Sequence, residues 1–213
     1  MVLNFNRKPP TENRKPVIPG NLGRWLGPPT SSRGLLLFGE NIRPLIAPLA
    51  VWGLRRGSRV VVVDAVLGFD PYRLAREARF RGLPAEESLQ KVRVSRAFTC
   101  HQLVRLVQES LPGELAGTKD TLLLLLGPCS LFYDEQVPLA ERRRLFQAMV
   151  AGLAQLRAQA VLCFLQSRLP PAVANQHFGR SLTALVDQVL ELELGLGGIQ
   201  LHPRGRRPSL RVN

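Results

Sequence analysis

From Gly34 onward, short apolar runs alternate with amphipathic stretches, whereas residues 1–33 carry almost no apolar pattern. Leu35-Leu36-Leu37-Phe38 is too short for a helix and reads as a buried strand. Residues 42–54 follow with helical spacing that Pro44 and Pro48 disturb. Residues 59–64 contain four consecutive valines, β-branched on every side, as a strand covered on both faces would be. Asp70 and Pro71 have the chemistry of an N-cap and a first helical position, and predict a helix through Leu74 and Ala78 to Phe80, stopped by Gly82. Residues 91–95 form the next strand, and Thr99 caps a helix through Leu103, Val104 and Val107. The all-leucine run 122–126 is ambiguous in type, but its shortness and the Gly127-Pro128 stop favour a strand. Residues 138–157 form a long amphipathic helix with Leu139, Leu145, Phe146, Met149, Val150, Leu153 and Leu156 inward. Residues 160–166 are another buried strand, and 188–194, 198–202 and 208–212 read as terminal antiparallel strands.

Strands alternating with helices at this spacing require an α/β fold, a mainly parallel twisted sheet flanked by helices on both faces, here finished by antiparallel C-terminal strands. The globular core spans 34–213. Ahead of it, 1–33 hold Arg7, Lys8, Arg14, Lys15, Arg24 and Arg33 against the single acid Glu12, broken up by Pro9, Pro10, Pro16, Pro19, Pro28 and Pro29. With only Phe5 and Trp25-Leu26 as anchors, this segment reads either as a basic arm or as a leader without structure of its own. There is no internal repeat.

Charge changes the picture most. Lys and Arg total 29 against 16 Asp and Glu, a formal net charge of +13 and a pI near 11.2. Such a field draws polyanions, with nucleic acid first and an acidic protein or anionic membrane surface as alternatives. A merely soluble surface is served at least as well by acids. Cys100, Cys129 and Cys163 are odd in number, widely spaced and set in apolar runs, which fits neither a disulfide framework nor a zinc site. The first ten residues lack the apolar core of a secretory signal, and no run approaches a membrane span. The expected location is cytoplasmic and nucleoid-associated, or nuclear in a eukaryote.

The order of segments then becomes specific. Val62-Val63-Asp64-Ala65 is followed by Gly68-Phe69-Asp70-Pro71-Tyr72-Arg73-Leu74. Next come Lys91-Val92-Arg93-Val94-Ser95-Arg96-Ala97-Phe98-Thr99-Cys100-His101-Gln102-Leu103, then Leu139-Ala140-Glu141-Arg142 opening a long helix, and a strand ending at Gln166. Over about residues 34–212 this resembles the RecA/RadA-type recombinases, and the resemblance implies a RecA-like core with an ATP site after the first strand.

The departures from that family bear directly on chemistry. A phosphate-binding loop needs backbone N–H groups, a lysine and a metal-binding hydroxyl. Here the strand ends properly at Gly39, but Glu40-Asn41-Ile42-Arg43 follows, Pro44 replaces the second glycine, Leu45 the lysine and Ile46 the hydroxyl. Gly127 stands where the metal-supporting acid belongs, and Val66 where the water-activating glutamate belongs. Arg43 is the one cation available as a substitute. Because phosphoryl transfer depends on positioning and charge stabilisation by these parts together, the expectation is a degenerate ATPase: no enzyme, no cofactor, no metal.

The family's two DNA-facing loops would correspond to 132–137, leading into Arg142, Arg143 and Arg144, and to 167–180, holding Arg168, Asn175, Gln176, His177, Phe178 and Arg180. Arginine pairs with phosphate and an aromatic ring stacks on a base, a combination suited to single-stranded DNA. Arg204, Arg206 and Arg207, with Arg211, add a tail without acids. Set against this, three successive helical arginines cannot all face one ligand, Phe178 also suits a sheet-edge cover, and His177 also suits an ordinary surface position. His101 and His202 show no carboxylate or cysteine arrangement for metal binding or catalysis, and Asp64 and Asp187 read as caps or ion-pair partners. The leading expectation is a non-catalytic RecA-like paralogue that binds single-stranded DNA or a recombinase in DNA recombination and repair. The alternative is a structural subunit that pairs with an active ATPase or repair protein without touching DNA. A third, an enzyme with an altered nucleotide site, needs Arg43 in place of the lysine.

Overall fold

The valine and leucine runs have to satisfy two opposite faces at once, because side chains along a strand alternate in direction. In the computed structural model, which describes residues 34–117, 120–168, 178–195 and 198–204, they do so in a seven-stranded sheet of order β3-β2-β4-β5-β1-β6-β7. The strands are β1 (Leu35–Gly39), β2 (Arg59–Asp64), β3 (Val92–Arg96), β4 (Thr121–Leu126), β5 (Ala160–Ser167), β6 (Gln188–Gly195) and β7 (Gly198–Arg204). Every pairing is parallel except β6 with β7. The terminal strands β6 and β7 are antiparallel to each other, as expected, and β6 joins the sheet by running parallel to β1. A third terminal strand at 208–212 lies outside the described residues, as does the 1–33 arm.

Two hydrophobic layers follow from the alternation. On one side Leu35, Leu37, Val60, Val62, Leu122, Leu124, Leu126, Cys163 and Leu165 pack under α1 (Arg43–Arg55) and α2 (Pro71–Phe80). On the other, Leu36, Val61, Val63, Leu123, Leu125, Leu162 and Phe164 meet four helices: α4 (Cys100–Arg105), α5 (Leu111–Leu115), α6 (Leu139–Leu156) and α7 (Gly179–Leu182). Between α2 and β3 lies the short α3 (Ala85–Gln90), which the apolar pattern did not announce. Each fully buried leucine or valine contributes about 1.5–3 kcal/mol, so the consecutive aliphatic runs of β2 and β4 serve both layers and anchor the sheet's centre.

Local chemistry behaves as its residue types dictate. The Asp70 carboxylate accepts from the N–H groups of Tyr72 and Arg73, with Pro71 in the first turn. Thr99 accepts from Gln102 N–H at the start of α4. Pro44 does not break α1, because it sits in the first turn, where no intrahelical donor is needed. Pro48 lies inside that helix, buried, and the helix continues through it.

Candidate functional site

In an open parallel sheet, ligands bind beyond the carboxyl ends of the strands, where neighbouring connections leave in opposite directions. The chain leaves β1 across α1 toward β2 on one side, and leaves β5 toward β6 on the other. The crevice to inspect therefore lies beyond Gly39 and Ser167, with the loop after β4 beside it.

The positions compared with a nucleotide site are all found at that edge, and they are packed. Gly39 is required by the fold itself, since a Cβ there would lie 2.4 Å from the Leu192 carbonyl oxygen. Leu45 is 0% exposed and Ile46 is buried, both inside the α1-side core. Ile46 Cδ1 would lie 3.2 Å from a Cβ built on Gly68. The amides at the start of α1 are spoken for: Arg43 N–H donates to the Asn41 side chain at 3.2 Å, Pro44 has none, and Leu45 N–H donates to the Ile42 carbonyl at 3.0 Å. Glu40 and the Arg43 side chain point to solvent. At the second crevice, between β2 and β4, Gly127 has φ +68, and a Cβ there would lie 2.2 Å from Val66 Cγ1 and 2.9 Å from Ser130 Oγ. Val66 thus occupies the space that a side chain at position 127 would need. The two departures from the family pattern are sterically coupled.

Asp64 and Gln166 hold these loops. The Asp64 carboxylate, 0% exposed, accepts from Val66 N–H (3.1 Å), Gly68 N–H (3.0 Å) and Phe69 N–H (2.9 Å). It is a loop lock, which also holds Leu67 exposed at φ +51, a strained conformation for a side chain with a Cβ. Buried Gln166 accepts from Cys129 N–H at 2.9 Å and donates to the Ser167 carbonyl at 2.9 Å, tying the loop after β4 to that after β5. Asp187 accepts from Gly34 N–H and pairs with Arg157, each at 2.8 Å.

The expected DNA-facing residues divide into several fates. Arg143, Arg144 and Arg180 are exposed. Arg142 corrects the expectation: it is 6% exposed and donates to the Phe132 carbonyl at 3.3 Å. Successive helical residues are rotated by about 100°, and position 142 falls on the inward stripe with Phe146 and Met149. Phe178 is a second correction. It is buried against Tyr133 and Phe146, with ring centroids 5.3 and 5.0 Å away, and presents no stacking platform. Arg168 and Arg204 both pair with the buried carboxylate of Glu191, two cations on one acid, while about half of each arginine side chain stays in solvent. Asn175, Gln176, His177, Arg206 and Arg207 lie outside the described residues.

His101 also departs from expectation. Its Nε2 meets Glu141 Oε1 at 3.0 Å and its Nδ1 meets Cys100 Sγ at 3.7 Å; His202 meets Glu193 at 3.6 Å. The Cys100 thiol is nevertheless buried and raised above its ordinary pKa by desolvation, partly offset by backbone N–H groups. Burial pushes the Cys129 and Cys163 thiols up to about 12. All three stay protonated at neutral pH and serve as small apolar groups.

The helical pattern held one signal that went unused: Tyr72, Arg76 and Phe80 recur at four-residue spacing on α2, opposite the buried Leu74 and Ala78. No protein-family model matches the chain, and no curated protein matches it.

Proposed function

We propose that this chain is a non-catalytic relative of the RecA/RadA-type recombinases that binds single-stranded DNA and supports or regulates recombinational repair. The observation that carries the reading is the packed carboxyl edge. Where that family would seat a triphosphate, Leu45 and Ile46 belong to the core and Val66 fills the space over Gly127. An excess of thirteen positive charges is carried alongside, including exposed Arg143, Arg144 and Arg180 near the same edge. A polycation of this kind is attracted to phosphodiester chains through counterion release, so affinity falls steeply with salt.

The test is fluorescence anisotropy of a labelled oligothymidine with the full chain, without nucleotide, across about 50 to 200 mM salt. Binding that weakens by at least tenfold over that range is the expected result. Affinity flat across it removes the DNA reading, and calorimetric uptake of ATP with Mg²⁺ removes the non-catalytic one.

A second reading, a structural subunit that pairs with an active ATPase or repair protein, is supported by the outer edge of β3. Among the described residues no strand lies beyond it, and Leu89 and Val94 stand exposed along a groove shared with Phe69 and Pro71. Partner retention after nuclease digestion, by a purified chain that binds no oligonucleotide, would favour this reading over the first.

A further inference from the structure

We infer that the amino edge of the sheet carries a second nucleic-acid contact, a basic hollow that grips phosphodiester backbone without reading bases and so takes duplex and single strand alike. The inference rests on the DNA-binding reading above and adds a site remote from the loops of the carboxyl edge. Because β2, β3 and β4 run parallel, their amino ends share one edge. The six residues of β2 hold it about 20 Å from the other. There an open hollow of about 480 Å³ is lined by Gly57, Ser58, Arg59, Gln90, Lys91 and Arg93, with Leu54 as its one apolar side chain. Three segments bring cations to it. Helix α1 ends at Arg55 with Arg56 as its cap, and Gly57, at φ +79, turns the chain into Arg59 of β2. Lys91 closes α3, and its carbonyl accepts from Val60 N–H at 3.3 Å, which sets it beside the start of β2; Arg93 follows on β3.

Folding explains some of these cations singly but not their convergence. Arg59 is satisfied: its guanidinium pairs with the Glu114 carboxylate and donates to the Glu114 carbonyl at 3.2 Å. A helix C-terminus favours a cation, which accounts for Arg55 at the end of α1 and Lys91 at the end of α3. Arg56 lies over the Trp52 ring, 4.9 Å from its centroid. Arg93, on a strand, has no such reason. Arg55, Arg56, Lys91 and Arg93 are all exposed, and none makes an ion pair among the described residues. Glu114 is taken by Arg59, while Glu86 and Glu87 on α3 and Asp120 ahead of β4 are exposed and pair with none of the four. Like charges gathered within a Debye length repel one another, so the cluster costs the fold something that a bound anion would return.

The occupant follows from what the hollow offers and what it lacks. Its donors are guanidinium, ammonium and amide groups, which suit phosphate oxygens. Leu54 alone is too little apolar surface to anchor the side chains of a peptide, and the nearby Trp52 ring is already covered by Arg56, so no base is given a stacking platform. A hollow that opens along an edge admits a polymer passing through, where a small anion would call for enclosure. Phosphodiester backbone meets these terms, and it does so equally in duplex and single strand, because backbone contacts carry no sequence information.

The experiment measures anisotropy of a labelled duplex of about twenty base pairs, and of one of its strands, across a salt series with the full-length chain. Lys91→Gln/Arg93→Gln removes two cations from the hollow, Arg76→Gln/Arg79→Gln removes the same charge from exposed positions on α2, and Lys91→Arg/Arg93→Lys keeps both charges in place. The hollow variant is expected to weaken duplex binding about tenfold and to lower the slope of log affinity against log salt by about 1.8, some 0.9 for each lost contact. On the single strand the slope should fall by about 1.4. The α2 variant is expected to weaken binding less than about threefold with its slope unchanged, and the charge-keeping chain to match wild type. A loss in the hollow variant no greater than in the α2 variant makes the attraction diffuse, which overturns this inference and leaves the DNA reading standing. An equal loss in the charge-keeping chain shows that residues 91 and 93 act through the fold, and overturns it too. So does a loss confined to the single strand, which removes the base-blind grip. Polyglutamate held by wild type as tightly as the duplex, and released by the hollow variant, assigns the surface to an acidic protein and likewise overturns it. Wild type that binds neither oligonucleotide overturns both this inference and the DNA reading.

Discussion

At the carboxyl edge of the sheet, Leu45, Ile46 and Val66 stand where phosphate chemistry would call for a cation, a hydroxyl and a carboxylate. On the outer face of α2, Tyr72 is 85% exposed, where folding would call for a polar group. The two regions depart from the ordinary distribution of side chains in opposite senses. At the edge the apolar groups are integral to the core, so changing them damages the fold. On α2, Tyr72 belongs to neither core cluster, so changing it is expected to leave the fold intact. Apolar character by itself therefore says nothing about role; what each side chain packs against does.

The comparison breaks first, if it breaks, at Leu45. Leu45→Lys puts an ammonium into the α1-side core and is expected to cost about 4 kcal/mol in urea denaturation, because a buried unpaired charge is among the few changes of that size. A loss below about 1 kcal/mol would reveal a solvated cavity at the start of α1 and erase the contrast. Gly127→Asp comes next, with an expected cost of about 3 kcal/mol from overpacking against Val66 Cγ1 and from its positive φ. Adding Val66→Ala should return part of that loss; no recovery would separate the two positions that the structure couples. Tyr72→Ala sharpens the other side, with stability expected to stay within about 0.5 kcal/mol of wild type. A larger drop would mean that the ring is covered in solution.

Much of the architecture was legible from local pattern. The four valines of β2 read as a strand buried on both sides, the ambiguous leucines of β4 were settled as a strand by their short run and the Gly127-Pro128 stop, and the Asp70-Pro71 and Thr99 caps fall where their chemistry places them. What escaped is also physical. Residues 85–90 form α3 without an apolar stripe of their own; the pattern signals a helix only through what it buries, and this helix buries one serine. The parallel course of β6 depends on a return beside β1, a long-range pairing that carries no local signature. Within the candidate site, Arg142 and Arg143 differ in role although they are chemically the same and adjacent, because only helix phase decides which one turns inward.

The amino-acid order alone determined the alternation of strands and helices and the basic excess. Those are properties of composition and short-range periodicity, which residue types and neighbours settle between them. Only the tertiary structure decided that Val66 closes over Gly127, that Phe178 joins an aromatic core, and that Glu191 gathers Arg168 and Arg204. Each of these joins residues from different strands or loops, and such meetings depend on the sheet order and register that bring distant segments side by side.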